Sequence, residues 1–246
     1  MIGVFDSGLG GLSALFPLLK LSPRADILYY ADTAALPLGE KSDSEIRARL
    51  CRALGFFAAE GVDGVLLACG TASSLLTDKC KFSFTFPIVD ILSPVAGVLR
   101  ALPKDASVLV LGTHASVRAA RFSTALARGD APVFSLPCPA LVEIAESGKP
   151  RPKAVARTLA PAKALSPQAV VLGCTHFSLL AREISAHFPA SRIVDAASLG
   201  AAAIAARLPL DGEGTLRFVT TGDPSRFSVG ASRVLSRPVQ AAKIIS

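Results

Sequence analysis

Two cysteines of this 246-residue chain occupy matching positions in two similar segments. Cys69 follows an apolar run at residues 65–68, and Cys174 follows a similar run at residues 170–173. Each run is typical of a buried strand, and a threonine lies one or two residues after each cysteine, at or near a predicted helix start. Ligands bind beyond the carboxyl ends of the strands in open α/β sheets. We therefore expect both thiols to face one small ligand.

Two thiols that face each other can exchange protons with opposite faces of one carbon atom, as racemisation or epimerisation requires. A helix amino terminus lowers the pKa of a cysteine thiol and attracts carboxylates, which predicts two activated thiols at these positions. The alternative is that both cysteines are structural, since free cysteines are often buried. We keep that structural interpretation for Cys51, Cys80 and Cys138, which lack the shared context.

An acidic residue and a glycine-rich turn follow the first apolar run of the chain. Asp6 ends that run, and three of the next five residues are glycine. The absent side chains would let the backbone approach a ligand closely or turn tightly into a helix. A dinucleotide site is not favoured, because the third glycine of the G-x-G-x-x-G pattern would fall at Ser13.

One of the three histidines has a candidate reactive partner close to it in the sequence. His176 lies two residues after Cys174, and we expect it to polarise that thiol. His114 and His187 have no such neighbour, so we interpret both as structural.

Short apolar runs alternate with segments of helical spacing along the whole chain, which predicts an α/β fold. The runs have no polar face, as expected where helices cover both sides of a mainly parallel sheet. Ser42, followed by Glu45, predicts a capping box at the start of a helix that extends through Ala59. The runs predicted as strands are residues 2–5, 27–30, 65–68, 88–91, 108–111 and 170–172.

The series of strand and helix segments divides in two near residues 93–94. We expect two similar domains, each a mainly parallel sheet flanked by helices, with the active site in the cleft between them. The first would comprise residues 1–93 and 206–246, and the second residues 94–205. The tail from Thr215 onward contains one predicted strand and one predicted helix, too little for a separate domain, and should return to the first half.

The composition of the chain argues against a nucleic-acid-binding, membrane, secreted or metal-binding protein. The chain has 26 Lys and Arg against 19 Asp and Glu, but two Tyr and no Trp, so stacking on nucleic-acid bases is not expected. No apolar run reaches the roughly 18 residues that a membrane span needs, and the start does not resemble a secretory signal, so we expect a cytoplasmic protein. Five scattered cysteines without a CxxC pair predict neither a disulfide framework nor a metal site.

Several motifs, taken in order, cover nearly the whole chain and resemble those of the glutamate racemase family, within the wider aspartate/glutamate racemase superfamily. The opening motif is FDSGLGG, and the cysteine motifs are ACGTAS and LGCTHF. The other matching segments are residues 31–33, 37–42, 141–148 and 220–224.

The resemblance implies a mechanism without a cofactor, in which two thiols interconvert L-glutamate and D-glutamate, the latter for peptidoglycan synthesis. It implies that Asp6 assists Cys69, and that His176 and Glu146 assist Cys174. No pyridoxal phosphate would be needed. The partner would be a small acidic amino acid, with neither nucleic acid nor membrane involved, and a homodimer remains possible.

The resemblance also implies a set of residues that bind the substrate through backbone or hydroxyl groups. Two of them depart from the family pattern, because Gly70 stands where the family has Asn and Leu38 where it has Tyr. Both changes remove polar groups, which predicts altered recognition beside retained catalytic residues. The implied binding residues are Ser7, Pro37, Leu38, Gly39, Gly70, Thr71, Thr113, Ser116 and Thr175.

Two other functions remain open from the sequence. The chain could racemise another amino acid, such as aspartate, with the same chemistry. It could also be a catalytically impaired homologue that acts by binding a partner, although retention of both thiols argues against this. Closure of the cleft around the substrate is a further hypothesis, because a carbanion-like transition state must be kept from water.

Overall fold

Two separate parallel sheets organise the chain. The computed structural model describes residues 1–120, 124, 132–149, 151–209 and 211–244. Within these ranges, the strands are β1 (Ile2–Asp6), β2 (Ile27–Ala31), β3 (Gly64–Leu67), β4 (Ile88–Asp90), β5 (Val108–Gly112), β6 (Val133–Pro137), β7 (Ala169–Leu172), β8 (Arg192–Asp195), β9 (Leu216–Thr220) and β10 (Ala241–Lys243).

The first sheet has the order β10-β9-β2-β1-β3-β4, and the second has the order β6-β5-β7-β8. Every strand pair in both sheets is parallel. All residues of β1, β2, β3, β5 and β7 are buried, as expected for strands covered by helices on both faces. The prediction of an α/β fold with two parallel sheets flanked by helices is confirmed.

The predicted helix start at Ser42 is also confirmed. The second helix, Asp43–Ala59, begins where Ser42 Oγ accepts the Glu45 backbone N–H at 3.3 Å. The Glu45 carboxylate accepts from Arg49 one turn later, at 3.2 Å. In the part of the chain that the structure describes, no helix is both long and apolar enough to cross a membrane.

The helices in the described ranges are α1 (Leu12–Leu21), α2 (Asp43–Ala59), α3 (Gly70–Leu75), α4 (Asp78–Lys81), α5 (Leu92–Leu99), α6 (His114–Arg118), α7 (Pro139–Ser147), α8 (Pro152–Leu159), α9 (Thr175–Ser178), α10 (Ala181–His187), α11 (Ala196–Ala205) and α12 (Pro224–Leu235). Short 3-10 turns occupy Thr33–Ala35, Leu38–Glu40 and Ala160–Leu165.

The tail contains one more strand than the sequence predicts. It forms β9, α12 and β10, with β9 paired to β2 and β10 paired to β9 at the edge of the first sheet. The prediction of a single strand was wrong because the β10 residues, Ala-Ala-Lys, are few and have low β-propensity. Pairing with β9 forms this strand, and sequence pattern alone does not reveal it.

The two sheets share one core through α1 and α11. These helices pack against each other, and their buried side chains belong to the same apolar cluster as residues of both sheets. Leu12 of α1 and Ile204 of α11, for example, lie in one cluster with Val4 of β1 and Val171 of β7. Residues 196–205 therefore pack against both halves, and the division of the chain at residue 205 stays a prediction.

Candidate active site

A small cavity lies where the loops after β1, β3, β5 and β7 meet. Its volume is about 330 Å³, and it receives residues from both sheets. The carboxyl ends of parallel strands are where ligands bind in open α/β folds. The predicted site residues that line this cavity are Ser7, Pro37, Leu38, Gly39, Cys69, Thr71, Thr113, Cys174 and His176.

The structure brings both cysteines of the repeated motif to this cavity. Cys69 follows β3 at the start of α3 and is 4% exposed, and Cys174 follows β7 at the start of α9 and is 5% exposed. Cys69 Sγ lies 3.9 Å from Ser7 Oγ. The two thiols therefore share one enclosed space, as the paired sequence segments predicted.

The electrostatic environment of Cys69 differs from the expectation. Burial, together with the negative charge of Asp6, raises the pKa of the Cys69 thiol far above its usual range. The Ala72 backbone N–H in the first turn of α3 acts in the opposite direction but is outweighed. The predicted lowering of the pKa by the helix terminus was wrong for Cys69, which holds its proton at neutral pH.

Cys174 is instead the first member of a hydrogen-bonded series of three side chains. Its Sγ lies 3.7 Å from Nδ1 of His176, whose Nε2 lies 2.6 Å from Oε1 of Glu146. Burial opposes protonation of His176, but the contacts with Cys174 and Glu146 and the charge of Asp6 raise its pKa well above the usual value. These contacts therefore favour the imidazolium form of His176.

Glu146 is ionised beside that imidazolium. Burial favours its neutral form, but the hydrogen bond and charge of His176 and the Leu9 backbone N–H lower its pKa. The Leu9 N–H donates to Oε1 at 2.8 Å, so the loop after β1 also holds this carboxylate. Thirty positions separate Glu146 from His176, and only the family resemblance pointed to it.

Asp6 lies close to Cys69 and to Thr175, the residue after Cys174. It is fully buried, and its carboxylate accepts from the Gly8 N–H and from the Thr175 hydroxyl, both at 2.9 Å. Burial raises its pKa, although the charge of His176 and these hydrogen bonds act against the rise. The hydroxyl of Thr175 thus holds the Asp6 carboxylate, and the role of Thr175 in binding substrate stays a prediction.

The glycine-rich turn packs against the site rather than around a phosphate group. A Cβ atom on Gly10 would overlap the imidazole of His176. Ser13, just beyond the turn, donates to the backbone carbonyl of Thr175 at 3.2 Å. The missing side chain at Gly10 therefore lets the loop after β1 cover the imidazole directly.

Gly70 lies at a backbone contact between the two cysteine loops. A Cβ atom on Gly70 would overlap the carbonyl oxygen of Gly173, the residue before Cys174. A backbone atom cannot move aside as a flexible side chain can, so any side chain at position 70 would force the loops apart. This contact explains why glycine stands where the resembling family has asparagine.

Two threonines and a serine form a hydroxyl cluster on another wall of the cavity. Thr71 Oγ1 lies 2.9 Å from Thr113 Oγ1, which joins the loop after β3 to the loop after β5. Ser116 Oγ accepts the Thr113 N–H at 2.8 Å and completes a capping box at the start of α6. Ser116, predicted to contact substrate, therefore orients Thr113.

Sequence reasoning missed three polar residues that line the cavity, namely Glu40, His114 and Glu143. His114 Nδ1 lies 2.9 Å from Oε1 of Glu40, so an exposed pair bridges the two halves at this site. The interpretation of His114 as structural stays a prediction, although the structure places this residue at the cavity. Its position two residues after β5 was the available signal, since β5 ends beside β7.

The remaining wall of the cavity is apolar, formed by Leu36, Pro37, Leu38, Pro139 and Val142. None of the described residues that line the cavity is lysine or arginine. Within the ranges that the structure describes, no cluster of three His, Cys, Asp or Glu side chains is arranged to hold a metal ion.

The sequence and the fold of this chain are similar to those of known racemases. Residues 20–204 match the family described as Asp/Glu/Hydantoin racemase. A glutamate racemase of Thermus thermophilus is 33% identical over 254 residues, which cover 100% of this chain and 96% of that protein. Several solved structures are also similar to this chain, including those of two glutamate racemases.

The glutamate racemase of Bacillus anthracis superposes with a TM-score of 0.91 at 24% identity, covering 100% of this chain and 97% of that one, which shows the shared fold. The Escherichia coli glutamate racemase, solved in complex with L-glutamate and the activator UDP-MurNAc-ala, gives a TM-score of 0.80 at 27% identity. The match covers 98% of this chain and 96% of that one.

We expect Gly70→Ala to lower the free energy of unfolding by about 1–3 kcal/mol, the usual cost of overpacking. The new methyl group would meet the Gly173 carbonyl oxygen. Gly55→Ala is the matched control, because nothing lies within 4 Å of a Cβ at that helical position. Chemical denaturation of both variants measures the difference, and a Gly70→Ala protein as stable as the wild type would contradict the backbone contact.

The contribution of the His176–Glu146 pair to the free energy of unfolding should be largest within a defined pH range. The raised pKa of His176 contributes stability below its unfolded value of 6.5, which is lost as the pH rises through the folded pKa. The lowered pKa of Glu146 contributes above its unfolded value of 4.5, and that part is lost as the pH falls through the folded pKa. The pair therefore contributes most between these two values.

Accordingly, Glu146→Gln should lower the free energy of unfolding by about 1–3 kcal/mol near pH 5.5, since a hydrogen bond between charged groups is lost. The loss should shrink at alkaline pH, where His176 is neutral in the wild type as well. Urea denaturation at the two pH values measures it, with Glu143→Gln, an exposed residue of the same helix, as control. An equal loss of unfolding free energy at both pH values would contradict an ion pair between His176 and Glu146.

Proposed function

Because this chain belongs to the Asp/Glu/Hydantoin racemase family and is an amino-acid racemase, we propose that it interconverts L-glutamate and D-glutamate without a cofactor. The observation that carries the proposal is that the Cys69 and Cys174 thiols line one small cavity between the two sheets. Its volume of about 330 Å³ is in the range of small-ligand sites.

The proposed reaction is a proton transfer at Cα with one thiol on each side. Cys174 Sγ lies 3.7 Å from Nδ1 of His176, which would donate its proton to the sulfur of the reacting base, whereas Cys69 holds its proton. In the first half-reaction the Cys174 thiolate removes the α-proton, and the Cys69 thiol donates a proton to the opposite face. The two cysteines exchange protonation states in each turnover, and turnover in the reverse direction restores them.

The carboxylates of Asp6 and Glu146 would assist the exchange of protons by the two thiols. Burial and, after it, the charge of Asp6 raise the pKa of Cys69, so the thiolate that Cys69 becomes after donation is a strong base for the reverse reaction. Glu146 keeps His176 protonated beside Cys174. We assign Asp6 to Cys69, and His176 with Glu146 to Cys174, as groups that act through the thiols.

Substrate recognition would rest on neutral hydroxyl groups, which donate to a carboxylate and accept from an ammonium. Ser7, Thr71 and Thr113 offer hydroxyl groups to the amino-acid carboxylate and ammonium, and the cavity lining has no lysine or arginine among its described residues. Leu38 contributes an apolar wall where the resembling family has tyrosine. We therefore expect glutamate to bind more weakly here than in relatives that retain those polar groups.

One feature favours a second candidate substrate. The carboxylates of Glu40 and Glu143 line the cavity beside Leu36 and Val142, a poor setting for an acidic side chain. Another amino acid, turned over by the same two-thiol chemistry, is therefore the alternative to glutamate. Aspartate and a panel of neutral amino acids would be assayed with the same method.

The proposal is tested by incubating the purified protein, free of metal and pyridoxal phosphate, with L-glutamate or D-glutamate in deuterated water. Chiral chromatography and mass spectrometry would then follow inversion and deuterium at Cα. Inversion with deuterium uptake supports cofactor-free proton transfer. Turnover of a different amino acid would replace glutamate as substrate, and no turnover in the whole panel would overturn the proposed reaction.

The proposed cellular role is the supply of D-glutamate for peptidoglycan synthesis, in the cytoplasm. It is supported by relatives named as glutamate racemases from several bacteria. Expression of this chain should rescue growth of a bacterial strain that requires added D-glutamate. A chain that racemises glutamate in vitro but fails to rescue such a strain, although expressed, would contradict the cellular role alone.

Cys69→Ser and Cys174→Ser should each reduce kcat for racemisation by about 10²–10⁴-fold, the usual contribution of a positioned acid or base. Serine retains the size of the side chain but is a far weaker acid than a thiol. Cys51→Ser, an exposed residue outside the cavity, should leave kcat unchanged. Full activity in either cavity variant, measured by chiral chromatography, would end the two-thiol mechanism.

A further inference from the structure

A second pair of cysteines lies in contact outside the active-site cavity. Cys51, on α2, and Cys80, on α4, have their Sγ atoms 3.6 Å apart. Neither residue lines the cavity, and the proposed reaction uses neither of them. Cys51 is exposed and Cys80 is partly exposed, so both are accessible to small reagents.

The two sulfur atoms are in non-bonded contact, and a small shift would bring them to bonding distance. A disulfide bond is about 2.05 Å long, so the two sulfur atoms need to approach by about 1.5 Å. Cys80 belongs to a helix of four residues, Asp78–Lys81, none of which is buried. A short, exposed element can move by this distance more easily than an element of the core, where close packing transmits strain.

We propose that Cys51 and Cys80 form a reversible intramolecular disulfide when a hydroperoxide oxidises the protein. The Cys51 thiol loses its proton to solvent and its sulfur attacks the peroxide oxygen, which breaks the O–O bond and gives a sulfenic acid and an alkoxide, or hydroxide from hydrogen peroxide. The alkoxide or hydroxide then takes a proton from solvent and leaves as an alcohol or as water. The Cys80 sulfur then attacks the Cys51 sulfur and expels hydroxide, which takes the Cys80 proton and leaves as water. Two thiols are oxidised and one hydroperoxide is reduced.

The environments of the two thiols give the order of these steps. Burial, together with the contact and charge of Cys51, raises the pKa of Cys80 to about 11, so Cys80 remains a thiol while Cys51 is reduced. Cys51 is the more exposed of the two and meets the oxidant first. Oxidation of Cys51 to a sulfenic acid removes the contact with the Cys51 thiol that raises the pKa of Cys80.

The crosslink would act on the segment that carries a reactive cysteine. The chain between Cys51 and Cys80 contains β3, Cys69 and the whole of α3. A disulfide that closes this 29-residue separation restricts the unfolded chain and so stabilises the folded protein. Oxidation of Cys51 and Cys80 would therefore stabilise the part of the folded site that holds Cys69.

The test treats the purified full chain with hydrogen peroxide, blocks the remaining thiols and digests it without reduction. We expect a peptide in which residues 51 and 80 are linked, a protein mass lower by two hydrogen atoms, and a Tm higher by on the order of 5 °C. Dithiothreitol should reverse all three changes. None of these measurements depends on racemase activity, so the result is independent of the proposed function.

Matched variants separate this pair from the other cysteines. Cys51→Ser and Cys80→Ser should each remove the linked peptide and the rise in Tm, whereas Cys138→Ser should keep both. The proposal is overturned if the wild type gives no such peptide, if Cys51 instead links two chains, or if the Tm rise persists in Cys51→Ser.

Discussion

The buried pair of His176 and Glu146 is the interaction on which the rest of the site depends. Their side chains join α7 to α9, and the Leu9 N–H adds the loop after β1. An imidazolium without its carboxylate would be an uncompensated charge in a site where His176 is 2% exposed. The same contact orients Nδ1 toward Cys174, so the packing, the charge and the orientation of the imidazole all depend on one hydrogen bond.

Much of the fold could be predicted from the sequence because its signals are local. Apolar runs gave the strands at the centres of both sheets, and Ser42 gave the start of α2, which the structure confirms. The family suggested by the motifs is also confirmed. The strand β10 was missed because it forms through pairing, and pairing is not visible in three residues of weak propensity.

The site was less predictable where it depends on distances between remote residues. The two thiols were found from matching segments, but Glu146 required the family resemblance. The contact of His114 with Glu40 was not predicted because 74 positions separate the two residues. The pKa of Cys69 moved opposite to the helix-terminus expectation, because burial and Asp6 outweigh one backbone N–H. Charge and burial of this kind follow only from the assembled structure.

The contact between Gly70 and Gly173 also limits how this protein can evolve. Every substitution at position 70 adds at least one carbon atom, and the first atom added would overlap a backbone oxygen. Side chains elsewhere in the cavity can change in size by small steps, but this position offers no intermediate step. A lineage that lost its side chain here could regain one only after the opposing loop had shifted, so the order of the two changes would be constrained.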